Sequence, residues 1–86
     1  MIMKIFGKEE DFENEYLTEL IDKINDEGFV VESYDLDKDE AHVQAEVYQI
    51  FTSPTVVITG EDGREVEIWR GRIPSVSEAI NFLGGK

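Results

Sequence analysis

A proline stands directly in front of a β-branched run in this chain, at Ser53-Pro54-Thr55-Val56-Val57-Ile58. Proline has no N–H to give to a β-ladder, so a central strand starts after it and cannot run through it. The X-Pro link is also the peptide bond for which a cis form is readily accessible, typically in a tight turn. The stretch therefore predicts a turn at Ser53-Pro54 and a strand over Thr55 to Thr59. The same chain has no cysteine. Whatever it does, it does without a thiol.

The segments around that strand alternate in kind. Met1 to Phe6 is apolar except for Lys4 and too short for a helix, which predicts a buried strand ended by Gly7. Glu9, Glu10, Asp11 and Glu13 place acids at an electropositive helix start. Leu17, Leu20, Ile21 and Ile24 then recur at helical spacing, extended by Phe12 or Tyr16, and Gly28 closes the helix. A second strand starts at Phe29-Val30-Val31 and continues to Tyr34 and Leu36. The acidic turn Asp35 to Asp39 leads into a helix from Glu40 to about Phe51. Val43, Val47, Ile50 and Phe51 lie on it beside a second row of Ala41, Ala45 and Tyr48, which predicts a helix packed closely on the sheet. After the third strand, Gly60-Glu61-Asp62-Gly63 predicts a hairpin turn into an alternating strand, Glu65 to Arg70. Pro74 and Ser75 open the last helix, where Ser75 and Glu78 have capping-box spacing. Val76, Ala79, Ile80 and Leu83 form its buried stripe, and Gly84-Gly85 ends it.

The order is β-α-β-α-β-β-α. A strand–helix–strand unit gives parallel neighbours with a right-handed crossover, and the short hairpin gives an antiparallel pair. Together they predict an α/β domain with a four-stranded mixed sheet and helices on both faces. Eighty-six residues make one domain, 1–86, near the lower end of what folds without disulfides or metal.

Charge limits the partners. Residues 1–63 hold 17 of the 20 acids and only 4 of the 8 bases, and the net charge is −12. Such a surface repels phosphates, which argues against nucleic acid and favours a basic partner protein. Strong charge also keeps a small domain in solution. No apolar stretch is long enough to span a membrane, and Met1 to Phe6 is too short for a secretory signal. A cytoplasmic location is the default expectation.

Lys4-Ile5-Phe6-Gly7, Ser53-Pro54-Thr55-Val56-Val57-Ile58, the hairpin, and Gly71-Arg72-Ile73-Pro74-Ser75-Val76 together resemble the small glutaredoxin-like members of the thioredoxin superfamily. The resemblance covers nearly the whole chain. It implies a thioredoxin-like fold with a Cys-x-x-Cys pair opening the first helix, where the helix N-terminus lowers a thiol pKa. Here Glu10 and Glu13 fall at those places, within a window of Lys, Glu, Asp, Phe and Asn. A carboxylate cannot exchange disulfides, so the redox activity does not carry over. The resemblance further implies that the residue before the proline, here Ser53, pairs its backbone with an extended peptide. That contact needs no thiol.

Other groups are weighed against plainer readings. Asp35-x-Asp37-x-Asp39 with Glu46 has calcium-loop spacing, but Glu40 stands where that loop needs glycine. A solvated turn with Asp39 as helix N-cap fits better. His42, the one histidine, reads as a surface residue. Trp69, Arg70 and Arg72 are either an exposed interface anchor or a tryptophan packed under the last helix beside two arginines. No cofactor or metal motif is present. The leading expectation is a redox-inactive, non-enzymatic module binding a protein or peptide, preferably basic, through Gly7, Lys8, Glu10, Ser53, Pro54 and Arg72. The alternative is a self-associating structural domain that uses Trp69 and an edge strand, forming a weak homodimer.

Overall fold

The apolar run at the N-terminus and the run after Pro54 become the two central strands. A computed structural model describes residues 1–84, so Gly85, expected to help end the last helix, lies outside the described residues. The elements are β1 (Ile2–Gly7), α1 (Glu9–Phe12), α2 (Glu15–Asp26), β2 (Val30–Asp35), α3 (Asp39–Val47), β3 (Thr55–Thr59), β4 (Glu65–Arg70) and α4 (Val76–Leu83). The sheet order is β2-β1-β3-β4. β1 runs parallel to β2 and antiparallel to β3, and β3 runs antiparallel to β4. The mixed sheet and the strand boundaries of the hairpin agree with the sequence reading.

Side chains alternate across a strand, so parity sorts them onto two faces. Met3, Ile5, Val56, Ile58 and Trp69 face α2 and α4, where Leu17, Leu20, Ile24, Ala79 and Leu83 complete the larger core. Phe6 and Val57 face the other way, toward Ala45, Tyr48 and Ile50 of α3 and its trailing turn. Helices therefore cover both faces. Gly28 closes α2 with φ +90°, a left-handed conformation that glycine adopts without steric cost. The Ser75 side chain accepts from the Glu78 N–H, and Glu78 reaches back to the Ser75 N–H, forming the expected capping box.

Three sequence expectations are corrected. The first helix is broken in two: Glu13 ends α1, and Asn14 caps α2 by accepting the Tyr16 N–H at 2.8 Å. Phe12 packs against the core, whereas Tyr16 is 78% exposed, so only one of the two extends the stripe. The second helix ends at Val47, not near Phe51. Gln49 takes a left-handed φ of 54°, and the Ile50 N–H returns to the Ala45 carbonyl at 2.9 Å. This turn brings Ile50 into the core and leaves Phe51 89% exposed. The N-cap of α3 is Lys38, and Asp39 is the first helical residue.

Candidate functional site

Strand register gathers the distant segments. Phe6 pairs with Thr55, Thr55 with Arg70, and Gly7 with Asp35. The residues that follow β1, precede β3 and follow β4 therefore share one end of the sheet. This is where Gly7-Lys8, Ser53-Pro54 and Gly71-Arg72 lie.

Each segment is held locally. Gly7 is buried, and its carbonyl accepts the Leu36 N–H at 2.9 Å. A Cβ at position 7 would sit 3.0 Å from the Asp11 Cβ, so any larger residue there would have to push the Asp11 side chain aside. The Lys8 N–H donates to Asp11 Oδ2 at 2.9 Å. Lys8, Glu9, Glu10 and Glu13 are exposed. Glu10 and Glu13 occupy α1 and its C-terminal cap, facing water.

The Ser53–Pro54 peptide bond is cis, and both residues are half-buried. Thr55, buried behind them, donates its hydroxyl to the Thr52 carbonyl at 2.8 Å and fixes the turn. Among the described residues, neither the N–H nor the C=O of Ser53 has a hydrogen-bond partner. Arg70 anchors the end of α3 before it, donating to the Gln49 carbonyl at 2.6 Å and the Tyr48 carbonyl at 3.3 Å.

Arg72 is not free. Its guanidinium forms an ion pair with Glu78 at 2.9 Å, and the Glu78 carboxyl is held down at about 2 by Arg72 first and by the Ser75 backbone second. Arg72 therefore braces the start of α4. Next to it, a groove of about 600 Å³ runs between α2 and the start of α4, lined by Tyr16, Leu20, Ile73 and Val76. The sequence reading missed this groove because it had to choose between Phe12 and Tyr16 for one helix, when the chain forms two.

Trp69 is buried in the larger core and meets Phe82 edge-on at 5.7 Å. It is the tryptophan packed under the last helix, not an exposed anchor. At the acidic turn, Asp35 Oδ1 accepts the Asp37 N–H at 2.9 Å, and His42 Nε2 lies in hydrogen-bond contact with the Leu36 carbonyl. Lys4, which looked like an exception in an apolar strand, is buried beneath α3. Its ammonium donates to Gln44 Oε1 at 3.3 Å and Tyr48 Oη at 3.4 Å, and lies over the Tyr34 and Tyr48 rings. Glu32 stands 3.9 Å away. No pattern in the sequence distinguishes this buried lysine from an edge lysine turned to solvent.

The sequence matches no family model, and no curated protein matches it. Solved structures do. Thioredoxin 1 from the thermophilic eubacterium Thermosipho africanus TCF52B superposes with a TM-score of 0.67 at 20% identity, over 98% of this chain and 91% of its own. A thioredoxin from Thermus thermophilus superposes with a TM-score of 0.57 at 23% identity, over 96% of this chain and 70% of its own. The chain has the thioredoxin-like α/β fold.

Proposed function

We propose that this thioredoxin-fold chain is a redox-inactive binding module that holds an extended, basic segment of a protein partner against the Ser53-Pro54 end of its sheet. The chain has no cysteine, so dithiol–disulfide exchange has neither an attacking nor a resolving thiol. An insulin-reduction assay is expected to show no turnover. The observation that carries the reading is the unpartnered Ser53 backbone, set where three chain segments meet at one end of the sheet. An extended peptide adds to such groups through main-chain hydrogen bonds. Glu9, Glu10 and Asp11 beside it favour a partner rich in Lys or Arg. In this reading Gly7, Lys8 and Arg72, which end or follow β1 and β4 at the same end of the sheet, complete the contact surface.

Self-association has less support. Buried Trp69 offers no anchor, and a charge of −12 on each copy opposes pairing. Peptides selected from a random library against the intact chain test the reading. Ser53→Arg places a like charge against a basic segment and is expected to weaken the selected peptide by about tenfold or more. Glu10→Lys is expected to weaken it less. Unchanged affinity in the folded Ser53→Arg protein removes this site.

A further inference from the structure

We infer that the outer face of α3 is a second docking surface, one that takes a cationic amphipathic helix of a partner protein. It does not depend on the Ser53-Pro54 reading. Seven large apolar residues are exposed among the described residues, and three of them, Val43, Val47 and Phe51, fall on α3 and the turn that leaves it. Val43 and Val47 are 63% and 65% exposed and lie at i and i+4, one above the other on the side away from the sheet. Ala41, Ala45 and Tyr48 already satisfy the core on the opposite side, so the valines add nothing to the fold. A groove of about 360 Å³ adjoins them, lined by Leu36, His42, Ala45, Glu46, Ile50 and Phe51. An apolar ridge beside a groove suits the apolar face of a helix.

Charge selects the occupant. Glu46 lines the groove, Asp35, Asp37, Asp39 and Glu40 lie on the turn before α3 and its first residues, and Lys38 is the sole Lys or Arg between residues 35 and 51, with His42 in the groove lining. Among the described residues, none of these acids forms a salt bridge. A second copy of this chain would bring a further charge of −12 to the same place. A helix with Leu or Phe on one side and Lys or Arg on the rim fits both the ridge and its border. The acidic outer face of α2, with Glu15, Glu19, Asp22 and Asp26, has no comparable apolar ridge beyond Tyr16 and serves as the internal control.

The test titrates the isotope-labelled full chain with a synthetic peptide that has Leu at i, i+3, i+4 and i+7 and Lys elsewhere. A control peptide replaces each Leu by Ser at the same charge. Amide shifts are expected at His42, Val43, Val47 and Phe51, with binding about tenfold or more tighter than the control. A Val43→Ser/Phe51→Ser protein, altered only at exposed positions, is expected to keep its thermal midpoint and lose that preference, while Ser53→Arg retains it. Equal affinity for the two peptides, shifts centred on α2, or full affinity in the double variant overturns the inference. A concentration-dependent dimer that the double variant abolishes also overturns it, because the occupant is then a second copy.

Discussion

The two faces of the sheet are built from the same strands by different rules. Toward α2 and α4, every strand residue in the core is apolar: Met3, Ile5, Val56, Ile58 and Trp69. Toward α3, the same two central strands present Lys4, Thr55 and Thr59, the three buried polar or charged residues among those described. Phe6 stacks on Tyr34 at 4.8 Å and tilts against Tyr48 at 6.3 Å, roofing the Lys4 ammonium with aromatic rings. One face is held by burial of apolar area. The other is held by the hydrogen bonds of Lys4 and Thr55 and by aromatic packing, while the Thr59 hydroxyl is buried there without a hydrogen-bond partner among the described residues. The polar face is also the one whose covering helix, α3, leaves two valines exposed to water, whereas α2 exposes the single Tyr16.

That difference sets the size of the response to substitution. Leu20→Ala removes a buried side chain from the apolar face and is expected to cost about 2–5 kcal/mol in urea unfolding. Tyr48→Phe acts on the other face. The hydroxyl donates to the Gly63 carbonyl at 2.7 Å and receives Lys4, so its loss strands the carbonyl and leaves Lys4 with Gln44 alone as hydrogen-bond partner among the described residues. A cost of about 1–3 kcal/mol is expected, measured the same way. Lys4→Met keeps the length and removes the charge together with its need for partners. It is expected to leave stability within about 1 kcal/mol of the parent, or to raise it. A loss as large as that of Leu20→Ala would mean that the ammonium itself, not its enclosure, holds α3 in place.

The smallest effects separate the faces by pH. Tyr34 is pushed up to about 12 by burial first and by its bond to Glu32 second. The folded state holds that proton more tightly than the unfolded chain, so its contribution is complete below pH 10.0 and is lost as pH rises through about 12. Tyr34→Phe is expected to flatten that alkaline decline. Glu78, at the start of α4, is lowered from 4.5 to about 2. Its contribution is present above pH 4.5 and is lost as pH falls through about 2, so the parent and Glu78→Gln are expected to converge in thermal midpoint toward the acid end.

Much of the fold was legible because local chemistry and tertiary placement agree. Pro54 marks the start of β3, Asp62-Gly63 turns the hairpin, and Ser75 with Glu78 caps α4. The misses come where they disagree. Glu13 and Asn14 continue a helical pattern as readily as they break it, and only the capping contact to Tyr16 decides. Beyond Val47 the apolar spacing persists through Ile50 and Phe51, yet Gln49 turns left-handed and sends the two side chains opposite ways. Lys4 reads as a solvent residue until α3 covers it. The candidate site was legible as three segments, but their meeting depends on the antiparallel register of β1 with β3, which no single segment encodes. That Arg72 is taken up by Glu78 also follows from the capping box, a local signal whose consequence for the site appears only in three dimensions.

Chemical-shift mapping of a selected peptide on the labelled chain shows which end of the sheet holds it. The account predicts that the amides that move cluster at Lys8, Ser53 and Thr55, and that Ser53→Arg abolishes the movement without unfolding the chain. Shifts confined to the outer face of α2, with the Ser53 amide unmoved at saturation, would contradict it.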